Sequence, residues 1–96
     1  MAVVTFTARL WRHGGAGGWH FVTLPLDAAE QVEDAAPLRA GFGSVRVTAT
    51  VGGSTWQTSV FPDTKTGSFV LPVKRQVRDA EDLVEDDDVA VTLDVG

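Results

Sequence analysis

The sequence predicts a mainly β protein: a six-stranded, pseudo-two-fold, closed β-barrel with one short helix in each strand-strand-helix-strand half. Two observations predict it. Short segments recur in the same order in both halves of the 96-residue chain. Between turn residues, apolar and polar side chains alternate with the period of a strand that has one buried face. We therefore interpret residues 1–96 as a single barrel domain with internal halves 1–53 and 54–96.

The repeat rests on two pairs of segments. Leu-Pro-Leu at residues 24–26 recurs as Leu-Pro-Val at 71–73, which is 47 residues later. Residues 45–52 recur at 89–96, which is 44 residues later, with five of eight positions identical. We assign the difference between the two offsets to the loop at residues 36–43, which is longer in the first half.

The first half contains three predicted strands and a helix. Residues 4–10 alternate, the glycine-rich residues 14–18 form a turn, and the nearly all-apolar residues 19–24 are typical of a strand covered on both sides. Pro25 ends that strand. Asp27 and Glu30 have the spacing of a capping box, which predicts a short helix from Ala28. The alternating residues 45–51 form the third strand, and Gly52 and Gly53 turn the chain into the second half.

The second half repeats this plan. Strands are predicted at residues 55–61 and 68–71, separated by a turn segment at 62–67. A helix follows, with apolar side chains at helical spacing. These are Val73, Val77, Ala80 and Val84. Residues 89–95 alternate in the last strand. Neither half can bury its apolar faces alone, and closing all six strands into one barrel also removes the sheet edges.

Composition narrows the classes of function. The chain has no cysteine, which excludes disulfides and thiolate chemistry and fits a cytoplasmic protein. It has no apolar run long enough to span a membrane and no signal-peptide layout. The net charge is −5, and seven of the thirteen acidic residues fall between positions 79 and 88. Because an acidic surface repels phosphate backbones, we expect no nucleic-acid partner. The lack of a membrane-spanning run predicts no membrane partner.

Five segments carry a family resemblance: residues 6–10, 19–25, 45–53, 71–80 and 87–93. Together they resemble the corresponding segments of the bacterial family called domain of unknown function 1905. The departures are acidic: Asp79 stands where the family has lysine, and Asp86-Asp87 replaces its Gly-Asp turn. The resemblance implies a small β-barrel and brings no activity with it.

Three cations stand out at the predicted second helix: Lys74, Arg75 and Arg78. They lie in its first turn or so, whereas the helix dipole favours anions there. We therefore predict that they bind a carboxylate or phosphate on a small molecule or partner. The alternative is that they pair with the acids at residues 85–88 in a solvated network.

The remaining candidates are aromatic side chains and histidines. Trp11 and Trp19 flank the glycine loop, so we expect them to be the exposed tryptophans and candidate aromatic contacts, although plugging the barrel is an equal alternative. His13 and His20 lack the partners of a metal site, and we interpret His20 as a structural histidine. The glycine stretch lacks the lysine and hydroxyl residue of a phosphate-binding loop.

The sequence thus predicts a binding or interaction module for an anionic small molecule or partner group, with no catalytic residues, no metal and no cofactor. The alternative is a small enzyme that acts near the same three cations, with His20 as acid or base; a carboxylate within hydrogen-bond reach of His20 would favour it. A transcription-regulator-like barrel is disfavoured by the acidity. The expected partner is an unknown small molecule or protein, and the expected state is a monomer or homodimer.

Overall fold

Six strands and two helices follow one another in the computed structural model, which describes residues 2–15, 17–36 and 43–95. The elements are β1 (Ala2–Arg12), β2 (His20–Thr23), α1 (Leu26–Ala35), β3 (Val45–Val51), β4 (Ser54–Asp63), β5 (Ser68–Pro72), α2 (Arg75–Ala80) and β6 (Asp88–Val95). Both predicted strand-strand-helix-strand runs are therefore present. The loop to which the repeat offset was assigned lies mostly outside the described residues, at 37–42.

The six strands close into one antiparallel barrel in the order β1-β2-β5-β4-β3-β6. This confirms the predicted mainly β fold and the closed six-stranded barrel with two short helices. The strand order is unchanged when β1 is exchanged with β4, β2 with β5 and β3 with β6, as a two-fold relation requires. The rotation itself stays a prediction.

Valine and leucine side chains on the inner face of the strands fill the barrel. The pairs Ala49–Leu93 and Val22–Leu71 lie opposite each other across neighbouring strands, and all four side chains are buried. Because strand side chains alternate between faces, each inward residue is flanked by outward ones. Val32 of α1 and Val77 of α2 are also buried and belong to the same core. Both helices therefore complete the barrel interior.

The first helix differs from the sequence prediction at its start. It begins at Leu26, two residues before the predicted Ala28, because Pro25 in extended conformation (φ −56°, ψ 153°) already directs the chain into it. Asp27 is thus inside the first turn, and no side chain bonds across the N-cap as a capping box would. The Asp27 carboxylate instead accepts a hydrogen bond from the Ala28 N–H at 2.9 Å.

The fourth strand is longer than predicted. It continues through Pro62 and Asp63, which the sequence assigned to a turn, and Pro62 lies opposite Phe69 of β5. Its pairing with β3 stops at Val60, so Pro62 lies where β4 has one open edge. A strand tolerates proline at such a position, because no partner needs the missing N–H.

No helix within the described ranges is long and apolar enough to cross a membrane.

Candidate functional site

A cleft of about 390 Å³ opens where the glycine loop, β4 and the β5–α2 junction meet. We call it the cationic cleft. Its lining includes all three cations singled out from the sequence, together with Trp19, His20 and Trp56. Residues from three separate parts of the chain are thus brought to one place by the pairing of β2 with β5 and of β5 with β4.

The backbone at the β5–α2 junction sets the position of the cations. The Val73 side chain is buried, and its N–H donates to the carbonyl oxygen of His20 at 3.0 Å, which fixes the junction against β2. Lys74 follows as the N-cap residue in extended conformation, and Val77 anchors the helix in the core. With Val73 and Val77 facing inward, Lys74 and Arg75 are directed to the exposed side.

Arg78 is held differently from the other two cations. Its Nε donates to the Val73 carbonyl oxygen at 3.1 Å, so this half-buried side chain folds back over the start of its own helix. It also lies in the last turn of α2, which has only six residues. The prediction that all three cations oppose the helix dipole is therefore wrong for Arg78. In so short a helix the dipole contributes little to the electrostatic potential of the cleft.

The cations have few acidic partners. Arg75 Nε lies 3.6 Å from the Asp79 carboxylate, and the two side chains are 84% and 72% exposed, so this pair contributes little. Within the described residues, neither Lys74 nor Arg78 has a carboxylate within 4 Å. The acidic segment instead pairs with β1, through Arg9 and Asp86 at 3.6 Å. The alternative interpretation, a network joining the three cations to residues 85–88, is not formed.

The tryptophans differ in environment. Trp19 is 59% exposed and its ring stacks on Phe21 with centroids 6.2 Å apart. Trp11 is half-buried, and its ring contacts the same phenylalanine, Phe21, with centroids 5.0 Å apart. Its Nε1 donates a hydrogen bond to the Thr23 hydroxyl at 2.9 Å. Trp56 is also half-buried, packs against the core and lines the cationic cleft. The expectation of an exposed pair thus holds for Trp19 but is wrong for Trp11, which its hydrogen bond and ring contact hold against the sheet.

A second groove, of about 460 Å³, lies on the outer face of β2, β5 and β4. We call it the apolar groove; it is lined by His13, Trp19, Phe21, Phe61, Val70 and Pro72. The sequence predicted that residues 19–24 are covered on both sides, but Phe21 on this outer face is only half-buried. The nearly all-apolar residues 19–24 and the apolar residues 69–73 were the available signal for this outer apolar surface, because a strand covered on one side alone would alternate apolar and polar residues.

Both histidines bond within or beside the glycine loop. His20 Nδ1 lies 2.6 Å from the Gly18 carbonyl oxygen. Because a carbonyl oxygen only accepts, Nδ1 is the donor in this hydrogen bond. His13 Nδ1 accepts from the Gly15 N–H at 3.1 Å. The contact of His20 is a carbonyl and not a carboxylate, so the arrangement that would favour an acid–base role is not formed. Across the described ranges, no cluster of three or more His, Asp or Glu is placed to hold a metal ion.

These features define a class: a small antiparallel β-barrel with a cationic cleft and an apolar groove side by side on its outer surface. The profile of the family described as "Domain of unknown function (DUF1905)" matches residues 6–93. The chain therefore belongs to the DUF1905 family, as the resemblance of its five segments predicted. A search of curated proteins found no match.

Proposed function

We propose that this protein is a binding module that takes an anionic group, a carboxylate or phosphate, in the cationic cleft. The supporting observation is that three of the eight basic residues of an acidic chain line one cleft, where a single, weak ion pair joins any of them to another of the described residues. Cations that are not neutralised within the protein attract an external anion. A ligand oxygen can replace Asp79 beside Arg75 at little cost, because exposed pairs contribute only ~0–1 kcal/mol.

The chemistry of the three side chains suits this role. Arginine offers a planar fork of donors that matches two oxygens of a carboxylate or phosphate, and lysine adds a mobile point charge. Arg78 uses only Nε for Val73, so its terminal nitrogens stay available as donors. The volume of the cleft, about 390 Å³, is that of a site for a small molecule.

A titration with inorganic phosphate at low salt tests the proposal. Backbone amide shifts in NMR spectra are followed for the unaltered protein and for the double variant Lys74→Ala with Arg75→Ala. The matched control is Lys65→Ala with Arg46→Ala, which removes the same charge from exposed side chains outside the cleft. We expect the shifts to concentrate at residues 72–78 and the affinity to fall at least about tenfold in the cleft variant, since hydrogen bonds to charged groups contribute ~1.5–3 kcal/mol.

The control variant should keep the affinity of the unaltered protein, apart from a small uniform loss from its more negative charge. An equal loss in both double variants would show that phosphate responds to bulk charge, and the proposal would be wrong. Arg78 is left unchanged in both double variants, because any substitution of it, lysine included, would remove the Nε–H that donates to the Val73 carbonyl oxygen.

A further inference from the structure

The apolar groove exposes large side chains that a folded chain of this size normally buries. Trp19 is 59% exposed and Phe61 is 43% exposed, and Val70 and Pro72 lie between β2 and β4 on the same outer face. Contiguous apolar surface of this kind marks a place where another apolar group is bound.

The groove and the cationic cleft are continuous. Trp19 and Pro72 line both of them. Lys74 and Arg75 follow Pro72 by two and three residues, so the cations begin where the apolar surface ends. A ligand that reaches across this boundary meets positive charge at one end and aromatic surface at the other.

Two neighbours, Phe21 and Gly17, restrict the Trp19 ring. Its ring is nearly parallel to Phe21, with an angle of 13° between the planes, and Phe21 in turn contacts Trp11. Gly17 lies against the indole, where an added Cβ would come within 3.2 Å of Cδ1. A ring held in this way loses little freedom on binding, and aromatic groups stack on such surfaces in offset or edge-to-face arrangements.

We propose that the ligand of the cleft is a small molecule that joins an aromatic ring to a carboxylate or phosphate. The anion lies against Lys74 and Arg75, and the ring lies on Trp19 and Phe61 in the apolar groove. This inference rests on the proposed anion site and adds the second half of the ligand. Charge complementarity selects an anionic compound, and the row of three protein rings ending at an exposed Trp19 selects an aromatic one.

The experiment compares inorganic phosphate with phenyl phosphate on the same protein. We expect phenyl phosphate to bind roughly tenfold more tightly, which is the gain of stacking one ring on an aromatic side chain. The three tryptophans give three indole N–H signals. Because Trp19 lines both the cleft and the groove, its signal should shift further with phenyl phosphate than with phosphate. Phe61→Ala should reduce the gain while phosphate affinity stays unchanged, which also shows that this variant is folded. Trp19→Ala should likewise reduce the ratio of the two affinities. Leu26→Ala, an exposed apolar residue on α1, is the matched control and should keep the whole gain.

Three results would overturn the inference, and they are distinguishable. Equal affinity for the two compounds, with phosphate binding still lost in the Lys74→Ala, Arg75→Ala variant, would refute the aromatic half alone. Phenyl phosphate binding that persists in that variant would refute the anion site and, with it, both proposals. A sedimentation coefficient that falls from dimer to monomer in Phe61→Ala would show that a second copy of the chain covers the groove.

Discussion

Glu81 joins the end of the second helix to the turn between β3 and β4. Its carboxylate accepts a hydrogen bond from the Gly53 N–H at 3.2 Å and another from the Ser54 hydroxyl at 2.6 Å. Gly52, in the same turn, has φ of +57° and packs so closely on this carboxylate that an added Cβ would displace it. A contact between residues 28 apart in sequence therefore depends on one glycine.

Replacing Gly52 with alanine should destabilise the protein more than the same change at Gly67. Both glycines have a left-handed backbone, with φ of +57° and +73°, so both variants carry the conformational cost of about 1–2 kcal/mol. Only at Gly52 would the new methyl group also displace Glu81, because nothing lies within 4 Å of a Cβ at Gly67. We expect the free energy of unfolding, measured in urea, to fall by about 1 kcal/mol more for Gly52→Ala, the net value of a typical hydrogen bond.

A double-mutant cycle with Glu81→Ala separates the two causes. In that background Gly52→Ala should cost no more than Gly67→Ala, because the displaced side chain is gone. If the extra cost remained without Glu81, the explanation by displacement would be wrong.

The residues of the candidate site were predictable to the extent that they are neighbours in sequence. Lys74, Arg75 and Arg78 form a local cluster of charge, and a reader of the sequence finds them without a structure. Trp56 comes from another strand, and only the pairing of β4 with β5 brings it to the same cleft. Pairings of this kind depend on strand order, which local pattern does not determine.

The second helix ends earlier than its apolar pattern predicted, and its capping geometry explains the difference. Its spacing predicted a helix that includes Val84, but α2 stops at Ala80 and Val84 is exposed. Asp82 takes a left-handed conformation with φ of 53°, the Leu83 N–H donates to the Arg78 carbonyl at 2.8 Å, and the Asp82 N–H donates to Asp79 at 3.4 Å. These are the bonds of a Schellman motif, which usually has glycine at the left-handed position. Aspartate there is a weak stop signal, so the sequence did not reveal the end.

Substituting glycine for Asp82 should therefore stabilise the protein. Glycine adopts positive φ without the steric cost that an L-residue carries, and we expect the free energy of unfolding to rise by about 0.5–1 kcal/mol. The control is Asp79→Gly within the same helix, which should lower it by a similar amount because glycine is unfavourable inside a helix. Thermal or urea denaturation of both variants measures the two changes, and a loss of stability in Asp82→Gly would contradict the assignment of the motif.

At the scale of the whole molecule, the two halves are interleaved and not merely adjacent. β3 pairs with β4 and β6 and has no ladder with β1 or β2 of its own half. The sequence predicted this closure because recurring segments indicated two similar units with unsatisfied apolar faces. The lengths of the elements were less predictable, since β4 extends through a proline and α1 starts before its polar cap.

Neither half should fold alone. A fragment of residues 1–53 retains the β1–β2 hairpin but leaves β3 without a partner, and a fragment of residues 54–96 likewise separates β6 from β1 and β3. We expect both fragments to give the narrow amide dispersion of unfolded chains in NMR spectra, and an equimolar mixture to recover the dispersed spectrum of the intact protein. Cooperative thermal unfolding of either fragment by itself would contradict an interleaved core.

The position of β6 in the barrel also constrains how the protein is made. This strand lies between β1 and β3 and is the last barrel strand along the chain. During translation, β1 and β3 each present an unpaired edge until residues 88–95 have left the ribosome, however early the other elements form. Barrel closure therefore follows the emergence of residues 88–95, and until then the nascent chain carries two strand edges that are open to edge-to-edge association.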